Sequence, residues 1–127
     1  MRHPQLLVYE SDDKLASLLR PLAEENKWLL RQPRQMATCV RLFERGGPGV
    51  LVLRPSRDLE RELDQLERLT WIHPDAAVVL IVDSEQARLG RLAWDLGVRW
   101  VLPPPHNRER LSEVVTSLMR PYQATGG

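Results

Sequence analysis

Five short apolar runs alternate with five amphipathic stretches along this chain, and that alternation predicts an α/β fold on a parallel sheet, because strands separated by helices re-enter the sheet in the same direction. The run AVVLIV, Ala77 to Val82, has no polar position to give to solvent, so a central strand covered on both faces is expected there. The 127 residues suffice for one domain and are too few for two. A single domain over residues 1–122 is expected, followed by a flexible tail at 123–127.

The first strand is read at QLLVYE, Gln5 to Glu10, and the SDD after it offers N-cap chemistry for a helix. Leu15, Leu18, Leu19, Leu22 and Ala23 then repeat at helical spacing. Pro21 removes the bond to the Ser17 carbonyl and is expected to kink or restart that helix before Asn26 closes it. A brief second strand follows at Trp28 to Arg31. Met36, Val40 and Phe43 mark one face of the next helix, which ends at Gly46 and Gly47. VLVL, Val50 to Leu53, is the third strand. Leu59, Leu63, Leu66, Leu69 and Ile72 draw the stripe of a third helix, with Arg57, Asp58, Glu60, Arg61, Glu62, Asp64, Glu67 and Arg68 as its solvated face. The turn His73, Pro74, Asp75 leads into AVVLIV. Leu89, Leu92, Ala93 and Leu96 place the fourth helix, with Gly97 beyond its end, and Trp100 to Leu102 form the fifth strand before three prolines. Leu111, Val114, Val115, Leu118 and Met119 define the last helix, and the chain after Pro121 reads as loose.

Apolar residues make up 43% and charged residues 28%, a globular balance rather than a disordered one. Eighteen basic side chains against seventeen acidic, mixed along the chain, leave no basic footprint for nucleic acid. Cys39 has no internal partner and reads as a small core residue beside Met36 and Val40. His3, His73, His106 and Cys39 lack ligand spacing, so no metal and no other cofactor is expected. No P-loop, GxGxxG or Ser/His/Asp arrangement supports catalysis, and a non-enzyme is expected. With no run resembling a signal peptide or a membrane span, the expectation is a soluble cytoplasmic protein without membrane contact.

From about Gln5 to Met119 the order of elements, the placement of turns, and the phrases LLVYESDD and LGVRWVLPPP resemble the receiver domain of two-component response regulators. The resemblance implies a flavodoxin-like fold, a five-stranded parallel sheet in the order 2-1-3-4-5 with five helices on both faces. In receivers, acidic residues after the first strand hold Mg²⁺ and an aspartate ending the third accepts phosphate. A Ser or Thr follows the fourth strand and a Lys-Pro pair the fifth. Here the acidic pair falls on Glu10 and Ser11, with Asp12 and Asp13 next. The phosphoacceptor position falls on Arg54, whose permanently protonated guanidinium can neither take a phosphoryl group nor ligate a divalent cation. The Ser/Thr position falls on Val82, followed by Asp83 and Ser84, and the Lys-Pro pair on Pro104 and Pro105. The switch aromatic becomes Val101. Changes at every one of these positions imply a pseudo-receiver, a non-phosphorylatable module of two-component-type signalling or transcription regulation that acts through protein–protein contacts.

Arg54 is expected to replace the lost cation, its guanidinium lying among Glu10, Asp12 and Asp83 in an internal ion pair. One alternative is a pocket of Glu10, Arg54, Asp83 and His106 that senses a small anion, which requires an arginine left unpaired by protein acids. Another is a structural module that dimerises an attached effector. Trp94 lies off its helix's apolar stripe and Trp100 on an edge strand. With Arg91, Arg99 and Arg108 around them, they are candidate residues for partner binding or self-association, on the face of the fourth helix, fifth strand and fifth helix that receivers use this way. Trp28 and Trp71 are assigned to packing. The Pro104–Pro105 bond is expected to be cis, as at that place in receivers.

Overall fold

The computed structural model describes residues 3–56, 59–83, 87–103 and 108–124. The elements alternate in chain order as β1 (Gln5–Tyr9), α1 (Lys14–Asn26), β2 (Leu29–Arg31), α2 (Met36–Gly46), β3 (Gly49–Leu53), α3 (Leu59–Ile72), β4 (Ala77–Ile81), α4 (Ala87–Asp95), β5 (Trp100–Leu102) and α5 (Arg108–Ala124). All strand pairs are parallel and the order is β2-β1-β3-β4-β5.

Alternation along each strand sends side chains into two apolar layers. Leu6, Val8, Val50, Val52, Ala77, Val79 and Ile81 pack with buried positions of α1 and α5, including Leu15, Leu19, Leu111 and Met119. Leu7, Leu51, Leu53, Val78, Leu80 and Val82 pack on the other face with Met36, Phe43, Leu66, Leu69, Leu89 and Ala93. Every residue of β3 and β4 is buried, which is why AVVLIV carries no polar position.

The start of the sheet is closed by a polar residue. Gln5 is buried, and its Nε2 donates to the carbonyls of Leu42 and Gly47 at 2.9 Å each, tying β1 to the end of α2. Its register partner on β3 is Gly49, where a Cβ would lie 2.1 Å from the Gln5 carbonyl oxygen. Backbone on backbone leaves nothing flexible to move. Gly49→Ala is therefore expected to destabilise the domain by about 1–3 kcal/mol, read as a lower urea midpoint at unchanged slope.

Several local expectations are corrected by packing. Helix α1 runs unbroken through Pro21, because Pro21 and Ser17 are both exposed and water can serve the carbonyl left without its bond. Its end is set by Lys27 in the left-handed conformation, φ 59°. Trp28 is buried but precedes the strand. Leu92 and Ile72 sit on their helical stripes yet stay half exposed, and Trp71, assigned to packing, is 82% exposed. Helix α5 continues past Met119 and Pro121 to Ala124, where Tyr122 packs on the core and its hydroxyl donates to the Asp75 carbonyl.

Candidate functional site

The sheet order sets β1, β3 and β4 side by side, so the residues that follow them, Glu10, Arg54 and Val82 with Asp83, gather at one end of the sheet. Backbone bonds extend the ladder past the strands. The Arg54 N–H donates to the Tyr9 carbonyl at 2.9 Å and the Val82 N–H to the Leu102 carbonyl at 3.0 Å.

Glu10 is buried, and its two carboxylate oxygens accept the N–H groups of Leu15 and Ala16 at 2.9 Å each. These are donors of the first turn of α1 that have no partner within the helix. The cap therefore comes from the strand end rather than from SDD. Asp13, the cap by position, makes no side-chain cap bond, and Asp12 accepts from the Lys14 N–H at 3.1 Å. Burial pushes the Glu10 carboxyl up, against the pull of its two N–H donors, with a hydrogen bond to Asp12 adding to the rise. Asp12 moves down, chiefly through the Lys14 N–H and then through Glu10, with a smaller contribution from the Arg54 charge.

Among the described residues, Arg54 reaches one carboxylate. Its Nη2 lies 3.8 Å from Asp83 Oδ1, with the two side chains 29% and 52% exposed. Among the described residues, neither Glu10 nor Asp12 lies within ion-pair distance of it, because Glu10 is turned into the start of α1. A pair this open to water contributes at most about 1 kcal/mol. Val82, read from the sequence as the Ser/Thr position, is buried in the second apolar layer, and Ser11, Asp12 and Asp13 are exposed. Ser84, Pro104, Pro105 and His106 lie outside the described residues, and with them the expected cis bond. On the proposed interface face, Trp94 is 55% and Trp100 39% exposed, and Arg91, Arg99 and Arg108 are exposed.

The sequence reading missed Glu62. Assigned to a solvated face, it is 4% exposed, and it accepts the Ser56 N–H at 2.8 Å and the Ser56 hydroxyl at 3.0 Å. Burial and a hydrogen bond to Glu62 together push the Tyr9 hydroxyl up to about 12. One carboxylate thus ties the end of β1, the segment after Arg54 and the first turns of α3. The signal was present, since Glu62 precedes Leu66 and Leu69 at helical spacing, and only its charge assigned it to solvent.

Among the described residues the donor set does not fit Mg²⁺. Both oxygens of Glu10 accept backbone N–H groups, the Arg54 guanidinium lies beside Asp83, and the described residues contain no group of three metal-ligating side chains.

An open parallel sheet in the order 2-1-3-4-5 with five helices is the flavodoxin-like fold of response-regulator receiver domains. Solved structures agree over nearly the whole chain. A response regulator receiver domain protein from Clostridium thermocellum superposes with a TM-score of 0.75 at 16% identity, covering 96% of this chain and 98% of its own. An adenylate cyclase structure from Rhodopirellula baltica gives 0.78 at 12% identity, with 98% and 93% covered. The receiver domain of Ssk1 from Saccharomyces cerevisiae, crystallised with the histidine phosphotransfer protein Ypd1, gives 0.72 at 14% identity, with 93% and 90% covered. No protein-family model matches the sequence, and no curated protein matches it. No helix among the described residues is long and apolar enough to cross a membrane.

Proposed function

We propose that this chain is a receiver-fold signalling module that works without phosphorylation, through contact with a protein partner or a second copy of itself. The observation that carries this reading is the residue after β3. Arg54 stands at the phosphoacceptor position with its guanidinium 3.8 Å from Asp83, while Glu10 spends both oxygens on the start of α1. Phosphoryl transfer to a receiver needs a carboxylate nucleophile and a cation to screen the transferred group, and after β3 this chain offers a guanidinium in place of the first, while Glu10 already accepts two backbone N–H groups. The same geometry weighs against the small-anion alternative, because Arg54 has a protein acid beside it. Trp94 and Trp100, both substantially exposed with arginines nearby, supply the aromatic and guanidinium chemistry that protein interfaces favour.

The test is an amide spectrum of the whole chain titrated with Mg²⁺ and then with beryllofluoride, the mimic of an aspartyl phosphate. Unmoved signals of Glu10, Arg54 and Val82 are expected; saturable shifts there would mean that the pocket still takes a phosphoryl-like ligand, and would refute the proposal.

A further inference from the structure

Trp71 is the most exposed large apolar side chain among the described residues, at 82%. The repeat that buries Glu62, Leu66 and Leu69 turns it away from the sheet, so packing within the domain does not account for an indole at this position. Two shallow, open hollows border it. One is lined by Asp64, Gln65, Glu67 and Arg68 of α3. The other lies between Glu67 and Thr70 of α3 and Asp95, Leu96 and Gly97 at the end of α4. Neither Trp94 nor Trp100 lines them.

The charge around Trp71 selects the occupant. Helices α3 and α4 both end here, held together by the Thr70 hydroxyl, which donates to the Leu96 carbonyl at 2.9 Å. Each C-terminus adds partial negative charge, and neither helix carries a basic residue in its last turn to offset it. The walls of these hollows hold three carboxylates, Asp64, Glu67 and Asp95, against one guanidinium, Arg68. Glu67 and Trp71 are four residues apart on α3, so a carboxylate and an aromatic face lie side by side.

We propose that the surface around Trp71 docks a protein segment presenting an arginine, whose guanidinium stacks on the indole and pairs with Glu67 or Asp95. A planar guanidinium serves both contacts at once, stacking on a ring face while its edge bonds a carboxylate. Anionic partners, nucleic acid and acidic lipid included, meet the wrong sign here. The surface is separate from the strand-end pocket and does not depend on how that pocket is read.

The probe is a leucine- and alanine-based helical peptide carrying two arginines, with a glutamate-for-arginine copy as control, titrated into the full chain. The Trp71 indole N–H is identified by its loss in Trp71→Phe. Saturable movement of that signal with the arginine peptide alone is expected, with affinity falling about tenfold in Trp71→Ala and several-fold in Glu67→Gln combined with Asp95→Asn, read at the Leu96 amide. All three side chains are exposed, so these variants keep the fold. Equal affinity in Trp71→Ala, an equal response to both peptides, or no response at millimolar peptide would overturn the assignment. So would movement of the Trp71 signal on concentrating the chain alone, which would make a second copy the occupant.

Discussion

Glu10→Ala is expected to lower the unfolding free energy by about 2–4 kcal/mol, because it strips the buried N–H groups of Leu15 and Ala16 of both acceptors at once. Chemical denaturation followed by circular dichroism measures the loss, and hydrogen exchange localises it to the first turn of α1. A loss under about 0.5 kcal/mol would mean that water satisfies these donors as well as the carboxylate does. The pH dependence carries a second signature. The folded state holds the Glu10 proton more tightly than the unfolded chain does, so the stability tied to that proton is fully present below the ordinary glutamate value of 4.5 and is lost as pH rises through the folded value. Asp12 acts oppositely, its contribution present above its ordinary value of 3.8 and lost as pH falls through its lowered one. The Asp12 contribution changes below 3.8 and that of Glu10 above 4.5, and subtracting the profile of Glu10→Gln from that of the parent chain isolates the Glu10 share.

Glu62→Ala is expected to cost a similar amount, about 2–4 kcal/mol, since the Ser56 N–H and hydroxyl and the Tyr9 hydroxyl lose a common buried acceptor. Unlike the loss at Glu10, this one also loosens the segment that carries Arg54. Faster exchange of the Ser56 amide under conditions where the core strands remain protected is the expected readout. Glu62→Gln separates the charge from the packing. Tyr9 stands at about 12 first through burial and then through Glu62, so removing the carboxylate charge is expected to bring it down toward 10 without reaching it. Alkaline absorbance titration follows this directly, and an unmoved Tyr9 would break the link to Glu62.

These two carboxylates order the segments that follow β1 and β3 from within the chain. Each takes hydrogen bonds from backbone or side-chain donors within a few residues of the sheet end, and each acts inside the chain rather than toward a ligand. Arg54 adds an exposed pair with Asp83 whose main effect is to occupy a position, since solvent screens its energy.

Local pattern was enough for the five strands, the five helices and the parallel sheet, because burial on two faces and the 3.6-residue repeat are written in runs such as AVVLIV and in the Leu66, Leu69 spacing. The place of Arg54 was legible for the same reason: it is the residue after a buried strand. Tertiary structure alone decided what each charge does. Glu10 was expected beside Arg54 and instead caps α1; Glu62 was expected in water and is buried between β1 and the segment after β3; Trp71 was assigned to packing and stands in solvent. Hydrophobic periodicity fixes a side chain's direction relative to its own element, whereas an ionisable group's role depends on which donors the neighbouring elements bring within about 3 Å of it, and those neighbours are set only when the chain closes into its sheet.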